Sequence, residues 1–583
     1  MKRLPYATCL FAVVIATFQP LSAQIQGQWT STGAMQSPRE FNAQVLLAGG
    51  KVLSLGGVNN SGTILASAEV YTPSTGTWKL TGSMAEAREA FPAVELASGK
   101  VLVSGGYGAG GAVLAAAELY DPSTGTWSSA GSMSVGRFGH TATLLLTGKV
   151  LVTGGCTSST CSTYTAESEL YDPTSNSWSK TGTLKTARYY QTAVRLKTGR
   201  VLAIGGSPST TSCELYDPSS GAWSVAASTN TARSANTSTL LPNGKVLAAG
   251  GAAGRYPISS AELYDPTANT WTLTGSMKMG RYGHTATLLT DSTVLIAGGE
   301  GQSISCGKAC TSYIPTAQAE LYNQTTGSFT ATTSLSHARA YHATTLLAGG
   351  KALADGGSGY TSTCCIVLGS AEYYTPLTLT FSATSLNFGL LQIGLTSAPQ
   401  TVTVTNVSSH SATFTSITSS GDFSQTHTCP TTLNAGQNCT ITVTFKPTAA
   451  GARNGSVTLN DNCPGSPTQT IALSGTGELG ALSLTPTSLT FPATLPGYSS
   501  SPMTATLHND SAGPVTITAI AISSSGTFAQ TNNCSSSLTA GQTCKIQVTF
   551  TPPDSGSYTG SLSVSFIGKG SPATVSLSGS GID

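Results

Sequence analysis

Short apolar runs that end in paired glycines recur along the first two thirds of the chain. Such runs, bounded by turn residues, are typical of buried β-strands. The pairs are Gly56-Gly57, Gly105-Gly106, Gly154-Gly155, Gly205-Gly206, Gly250-Gly251, Gly298-Gly299 and Gly356-Gly357. Successive pairs lie 45 to 58 residues apart, and a period of this length indicates a repeat architecture.

Each period contains four strand signals joined by turns. In the third copy they cover residues 140–146, 149–153, 167–171 and 177–180. A glycine turn joins the first two strands and an Asp-Pro turn joins the last two. Four antiparallel strands in about 50 residues form one blade of a β-propeller. The seven copies therefore predict an all-β, seven-bladed propeller over residues 24–376.

Polar and aromatic positions repeat together with the glycines. The arginines are Arg39, Arg88, Arg137, Arg188, Arg233, Arg281 and Arg339, and the glutamates are Glu69, Glu118, Glu169, Glu214, Glu262, Glu320 and Glu372. A tryptophan follows at Trp78, Trp127, Trp178, Trp223 and Trp271, with Phe329 in the sixth copy. One arginine and one glutamate per blade predict repeated ion pairs or backbone contacts that fix the blade geometry.

The pattern also predicts how the ring closes. The seventh copy stops after Tyr374-Thr375-Pro376 without a tryptophan strand, and an unpaired strand signal with Trp29 stands near the N-terminus. We expect this N-terminal strand to be the outer strand of the last blade, because joining both chain ends there removes an open sheet edge.

After Pro376 the pattern changes to alternating Val or Ile and Ser or Thr. Two copies of one unit follow, in which Cys429, Cys439 and Phe445 recur 105 residues later as Cys534, Cys544 and Phe550. Alternation over about 100 residues predicts a β-sandwich. We expect two sandwiches, over residues 377–478 and 479–583.

These motifs resemble known families. The paired glycines, the Glu-x-Tyr-Asp-Pro turn and the spaced tryptophan resemble kelch repeats, which implies a propeller that binds ligands or proteins and only sometimes catalyses a reaction. Leu386 to Gly389 and Ala435 to Cys439 resemble the Ig-like domains of the abnormal-spindle and Hydin type. That resemblance implies spacer or binding modules, as in bacterial secreted and surface proteins.

The net charge and the N-terminal residues limit the partners and the cellular compartment that we expect for the protein. The 583 residues include 27 Lys and Arg against 25 Asp and Glu, so no basic field favours nucleic acid or an anionic membrane. Lys2 and Arg3, an apolar run and Leu21-Ser22-Ala23 predict a cleaved signal peptide over residues 1–23. No later stretch is apolar enough to span a membrane, so we expect a secreted or cell-surface protein.

The cysteine count fits export, since 12 of the 13 cysteines remain after Cys9 is removed. We expect the disulfides Cys429–Cys439, Cys534–Cys544, Cys156–Cys161 and Cys306–Cys310. Cys213, Cys364, Cys365 and Cys463 have no assigned partner. Zinc is disfavoured at Cys306 and Cys310, because no second ligand pair stands nearby.

One face of the predicted propeller carries the candidate site. Loops between the second and third strands vary in length, the longer ones at residues 156–166 and 300–319, and variable loops on a rigid scaffold commonly bind ligands. Three residues after each repeat arginine, at the mouth of the central channel, stand Asn42, Phe91, His140, Gln191, Asn236, His284 and His342. With Tyr190, Tyr282 and Tyr341, all of these except Phe91 are our ligand-binding candidates.

In outline the chain also resembles galactose oxidase, an exported kelch-type propeller followed by an Ig-like domain. Residues 188–191 and 339–342 resemble its copper-ligand segments, which implies Tyr190 and His342 as the matching ligands. The family also needs a cysteine cross-linked to its ligand tyrosine, and residues 137–140 contain none. It further needs a histidine from the Ig-like domain, and His410, His427 and His508 stand in no convincing motif.

No other catalytic motif stands in the chain, so we predict no catalytic residue, metal or cofactor. The favoured function is an exported, non-enzymatic protein whose propeller loops bind a carbohydrate or protein, with the Ig-like units as spacer or adhesion modules. The alternatives are a secreted propeller enzyme of the galactose oxidase kind and a structural cell-surface component. The sequence does not define the ligand or the oligomeric state.

Overall fold

The computed structural model describes residues 27–305, 311–360, 365–408, 411–463, 468–524 and 526–583. The predicted signal peptide, the pair Cys306 and Cys310, Cys364 and His410 therefore lie outside the described residues. The chain divides into two compact units, one that ends at Leu377 and one that contains most of the residues from Thr378 onward.

The first unit contains seven four-stranded antiparallel sheets within the described residues. From the inner to the outer strand, the first three blades are Ala43–Leu46, Val52–Leu55, Ala68–Thr72, Thr77–Leu80; Ala93–Glu95, Val101–Ser104, Ala116–Asp121, Thr126–Ser132; and Thr141–Leu144, Val150–Thr153, Ser168–Asp172, Ser177–Lys180. The next three are Thr192–Arg195, Val201–Ile204, Cys213–Asp217, Ala222–Ala226; Thr237–Leu240, Val246–Ala249, Ala261–Asp265, Thr270–Leu273; and Thr285–Leu288, Thr293–Ala297, Ala319–Asn323, Ser328–Ala331. The last blade is Ala343–Leu346, Ala352–Asp355, Ala371–Pro376 and Gly27–Thr32.

The predicted closure is confirmed. Gly27–Thr32 pairs antiparallel with Ala371–Pro376, and Trp29 lies opposite Tyr374. Each inner strand also contacts the inner strands of both neighbouring blades, and the last contacts the first. The sheets therefore form a closed ring in which the N-terminal strand Gly27–Thr32 completes the last blade.

Each blade buries one arginine and one glutamate, as the repeat predicts. The seven Nη2–Oε1 distances are 2.6 to 2.9 Å, and none of the seven arginines has exposed side-chain area. Each arginine also donates from Nη1 to the carbonyl of the first glycine of its blade's pair, as Arg188 does to Gly205 at 2.8 Å. The glutamate accepts a backbone N–H from the link into the arginine, as Glu214 does from Lys185. The ion pairs thus anchor the links between blades.

Aromatic pairs pack between the third and outer strands. A tyrosine lies opposite the repeat tryptophan or phenylalanine in every blade, as Tyr71 does with Trp78, with ring centroids 4.9 to 5.3 Å apart. These rings join valines and leucines of the second strands in the cores between blades.

Two sandwiches make up the second unit, each with a four-stranded and a five-stranded sheet. The first contains Leu379–Phe381, Gln400–Asn406, Asn438–Phe445 and Phe423–His427 against Ser385–Gln392, Thr468–Glu478, Gly451–Asp461, Ala412–Ser419 and Thr432–Leu433. The second contains Leu482–Thr485, Met503–Asn509, Thr543–Phe550 and Phe528–Asn532 against Ser488–Thr490, Ala573–Gly581, Gly556–Phe566, Val515–Ile522 and Ser537–Leu538. The all-β class, the propeller and the Ig-like sandwich are confirmed.

The structure contains the disulfides Cys156–Cys161, Cys429–Cys439 and Cys534–Cys544, at the predicted pairings. Cys213 is a buried thiol, and burial raises its pKa to about 11. Cys365 is an exposed free thiol. Within the described ranges, no helix has the length and apolar character needed to span a bilayer.

Candidate functional site

The variable loops and the links between blades lie on one face of the propeller. In every blade the residue after the repeat arginine pairs with the residue after the paired glycines. The pairs are Glu40 with Val58, Glu89 with Tyr107, Phe138 with Cys156, Tyr189 with Ser207, Ser234 with Ala252, Tyr282 with Glu300 and Ala340 with Ser358. The loops at residues 156–166 and 300–319 therefore start beside the channel mouth, as the topology predicts.

A circle of backbone hydrogen bonds rims this mouth. The residue two places after each repeat arginine has a positive φ, between 49° and 61°. These residues are Phe41, Ala90, Gly139, Tyr190, Ala235, Gly283 and Tyr341. Each donates its N–H to the carbonyl of its counterpart in the preceding blade, and Phe41 donates to Tyr341, at N–O distances of 2.8 to 3.4 Å. The circle explains why residues other than glycine hold the left-handed conformation.

All nine candidate side chains line two adjoining cavities at the mouth. The first, of about 290 Å³, is lined by Asn42, His140, Tyr190, Gln191, His284, Tyr341 and His342. The second, of about 540 Å³, is lined by Asn236 and Tyr282 and shares Tyr190, Gln191 and Tyr341 with the first. The structure thus brings together every residue that the spacing selected, from six of the seven blades.

The three histidines are buried and neutral. Their Nε2 atoms lie beside a hydroxyl of the preceding blade: His140 by Ser104 at 3.3 Å, His284 by Thr237 at 3.0 Å and His342 by Thr285 at 3.0 Å. Burial lowers the pKa of all three, and the arginine of the same blade lowers it further. The pKa of His284 falls to about 3.

Three amides at the mouth, Asn42, Gln191 and Asn236, lack a partner for their side-chain oxygen in the described structure. Gln191 donates to the Thr153 carbonyl at 2.8 Å, and Asn236 donates to neighbouring hydroxyls at 3.3 Å. Gln191 Oε1 and Asn236 Oδ1 accept no hydrogen bond in the described structure, although both residues are only 5% exposed. Unsatisfied buried acceptors are uncommon and costly, so these oxygens are ready to accept a donor from a ligand.

The tyrosines are held by carboxylates and aromatic rings. Tyr282 donates from its hydroxyl to Glu300, and Tyr341 stacks on Phe41 with centroids 4.3 Å apart. Burial, together with the smaller effect of nearby Glu89, raises the pKa of Tyr190 to about 12. Burial likewise raises the pKa of Tyr282 and Tyr341. All three phenols therefore remain protonated hydrogen-bond donors at neutral pH.

Sequence reasoning missed three contributors to this face. Asp355 is fully buried and accepts from Asn42 at 2.9 Å and from Gln44 at 2.8 Å, which joins the last blade to the first, and burial raises the pKa of its carboxyl. Phe41 lines both mouth cavities. Glu89 lies beside them in a third, smaller cavity. Phe41 and Asp355 occupy repeat positions where the other blades carry different residues, and Glu89 shares its position with Glu40 of the first blade alone, so the repeat gave little signal for them.

Comparison with protein families agrees with this architecture. A family described as the KLHDC2/KLHL20/DRC7 kelch-repeats domain matches residues 93–299, and the kelch motif matches residues 42–85. A HYDIN/CFA65/VesB-like Ig-like domain matches residues 378–476. The chain carries a kelch-repeat propeller and a HYDIN-like Ig domain.

Among curated proteins, none matches the chain. A solved structure titled a novel fungal alcohol oxidase of the AA5 family, in complex with copper, is similar to it with a TM-score of 0.50 and 18% identity. The match covers 77% of this chain and 99% of the oxidase. At this identity the likeness shows the shared propeller fold alone.

The residues at the channel mouth do not fit a copper site of the galactose oxidase kind. Tyr190 and His342 line one cavity, but Gly139 occupies the place next to Tyr190 in the preceding blade. A Cβ on Gly139 would lie 3.1 Å from Cε1 of Tyr190. Residue 139 is therefore close enough to the tyrosine ring for a cysteine cross-link, but glycine has no sulfur to form one. Among the described residues, no group of three or more His, Cys, Asp or Glu side chains is arranged to hold a metal.

Proposed function

We propose that the protein is an exported, non-enzymatic binding protein whose propeller mouth takes a carbohydrate or protein ligand. The observation that carries this proposal is the pair of adjoining cavities lined by all nine candidates. The unpartnered oxygens of Gln191 and Asn236 favour a ligand that donates hydrogen bonds, such as a sugar hydroxyl or a peptide N–H. The phenols of Tyr190 and Tyr341 add rings and donors of the kind that binding sites use.

The Ig-like units act as spacer or adhesion modules in this proposal. Their disulfides, Cys429–Cys439 and Cys534–Cys544, support an oxidising compartment and hence export. A tag placed after Asp583 and detected outside the cell, with cleavage after Ala23 shown by N-terminal sequencing, would test export directly.

Glycan and protein arrays probed with the purified chain test the binding function. We expect a ligand whose binding falls at least tenfold in the Gln191→Ala/Asn236→Ala variant, because two of the unpartnered acceptors at the mouth are then gone. Lys51→Ala is the matched control, since this exposed residue lies in a turn on the opposite face. Binding that survives in the Gln191→Ala/Asn236→Ala variant but falls in Lys51→Ala would show that the ligand binds the opposite face of the propeller.

A secreted oxidase is the second candidate, favoured by the fold of the copper-bound alcohol oxidase and by the shared cavity of Tyr190 and His342. Metal analysis of the exported protein, joined to an alcohol-oxidation assay, separates the two candidates. Stoichiometric copper, or turnover that disappears in His342→Ala, would overturn the binding proposal. A chain that binds nothing on either array and turns over no substrate would favour the structural surface role.

A further inference from the structure

A third cavity opens beside the mouth, against blades 1 to 4. It has a volume of about 190 Å³ and is lined by Phe41, Glu89, Tyr107, Phe138, Ser159 and Tyr190. Phe41 and Tyr190 also line the first mouth cavity, so the two spaces adjoin. Ala90 completes the lining, so four of the seven lining residues are aromatic and one is a glutamate.

The charged group of this pocket has no partner. In the described structure the side-chain carboxylate of Glu89 makes no hydrogen bond and no ion pair, although its neighbour Arg88 pairs with Glu118. Burial, and after it the neighbouring carboxylate of Glu40, raises the pKa of Glu89 to about 7. A half-buried carboxylate beside a like charge is stabilised by any cation that enters the pocket.

The aromatic rings suit the same occupant. Tyr107 and Phe138 meet edge to face, with centroids 5.2 Å apart and planes at 66°, and Phe41 is held by its stack on Tyr341. The face of an aromatic ring attracts a cation, most strongly where water is partly excluded. A cage of rings around one carboxylate therefore combines the two groups that bind an organic cation.

We propose that the pocket of Glu89, Phe41, Tyr107, Phe138 and Tyr190 binds an organic ammonium group of the ligand. The inference rests on the proposed binding function and adds the chemical class of the ligand to it. An anionic group is disfavoured, because Glu89, Glu40 and Glu300 all lie on this face and repel one another. A purely apolar group would fill the rings but leave the carboxylate uncompensated.

Choline and its uncharged isostere 3,3-dimethyl-1-butanol test the proposal on the full chain, by ligand-observed NMR titration at pH 8. We expect choline to bind and the isostere to bind at least tenfold more weakly.

Glu89→Gln keeps the shape of the pocket and should weaken choline binding about tenfold or more. Glu86 is an exposed glutamate three residues earlier, and Glu86→Gln should leave choline binding unchanged. Phe138→Leu should weaken choline binding with the carboxylate intact. Equal binding of the two probes, or equal binding by Glu89→Gln, would overturn the proposal.

The source of the ammonium group is resolved by a second probe. Nα-acetyl-lysine methylamide stands for a protein side chain, and tighter binding of this probe than of choline supports a protein ligand that presents lysine.

The failure of this inference differs from the failure of the proposed function. An array ligand that is lost in Gln191→Ala/Asn236→Ala but kept in Glu89→Gln overturns the ammonium pocket alone, whereas the absence of any mouth-dependent ligand overturns the binding function as well.

Discussion

The propeller and the sandwiches are both built from antiparallel strands, yet they bury different chemistry. The largest fully buried side chains of the propeller are its seven repeat arginines, each paired with a glutamate. The second sandwich instead buries a cluster of leucine, isoleucine, valine and phenylalanine side chains. In the described part of the sandwiches, Arg453 forms an ion pair with Asp422 that is partly exposed.

Strand length explains the difference. Second strands such as Val150–Thr153 have four residues, whereas Gly451–Asp461 and Thr468–Glu478 in the first sandwich have 11 each. Long strands satisfy their backbone groups in the ladder, but short strands leave many carbonyls in links and loops. The buried arginines supply donors to those carbonyls, as Arg188 does to Gly205 and Ser212. The propeller therefore depends on buried charge where the sandwiches depend on apolar packing and a disulfide.

Deleting residues 24–35 should separate the two regions most clearly. The last blade then loses Gly27–Thr32, the partner of Ala371–Pro376, and Trp29 no longer packs on Tyr374. Removal of a buried tryptophan side chain alone costs about 3–5 kcal/mol, and the deletion also opens a sheet edge. We expect the propeller transition in calorimetry to be lost while the sandwich transition remains. An unchanged propeller melting temperature would contradict closure by the N-terminal strand.

Breaking one buried ion pair should be the next largest effect. Arg188→Leu leaves Glu214 buried without its cation and removes the donors to Gly205 and Ser212. The loss should be about 3–5 kcal/mol of unfolding free energy. Lys149→Ala is the control, because the pair of Lys149 with Asp172 is partly exposed, and such surface pairs contribute about 0–1 kcal/mol.

The double variant Arg188→Leu/Glu214→Leu sharpens this test by chemical denaturation. It removes the uncompensated charge, so it should recover part of the loss. An Arg188→Leu variant that loses no more than Lys149→Ala would show that the arginines do not hold the blades.

Loss of a sandwich disulfide should weaken the sandwiches and leave the propeller transition unchanged. Cys429 and Cys439 close a loop with a sequence separation of 10, for which chain entropy gives about 3 kcal/mol. Cys429→Ser/Cys439→Ser should therefore lower the sandwich melting temperature. The propeller transition of the same variant is the internal control and should stay within about 1 °C, because the propeller and the sandwiches are separate compact units. A sandwich melting temperature that does not fall, or a propeller transition that falls with it, would contradict the comparison.

What the sequence predicted and what it missed follow from the repeat itself. Features shared by all blades, such as Gly205-Gly206, Arg188 and Glu214, repeat often enough to identify the strands, the turns and the closure. The polar residues at the channel mouth were found because they stand three residues after each repeat arginine. Phe41 and Asp355 were missed because each occurs in one blade, and Glu89 because its position carries a glutamate in two blades alone. Their contacts join distant parts of the chain. Asn42 and Asp355, for example, are 313 residues apart in sequence. A site made from differences between blades leaves little periodic signal.

The buried histidines make the smallest of the predicted differences, and it depends on pH. The pKa of His284 is about 3 in the folded propeller against 6.5 in an unfolded chain, so the unfolded state binds the proton first. Its contribution to stability is complete above about pH 6.5 and is lost as the pH falls toward 3. At pH 5.5 the loss should be about 1.4 kcal/mol for this residue.

Glu89 acts in the opposite direction, because its raised pKa favours the folded state as the pH falls below 7, so the comparison must be made between variants. His284→Gln should reduce the loss of propeller stability between pH 8 and 5.5, measured by urea denaturation. His337→Gln, at an exposed position, should leave that pH dependence as in the unmodified chain. The sandwich transition should be unaffected by either variant, and an identical pH slope for His284→Gln and the unmodified chain would mean that His284 is protonated in the folded propeller.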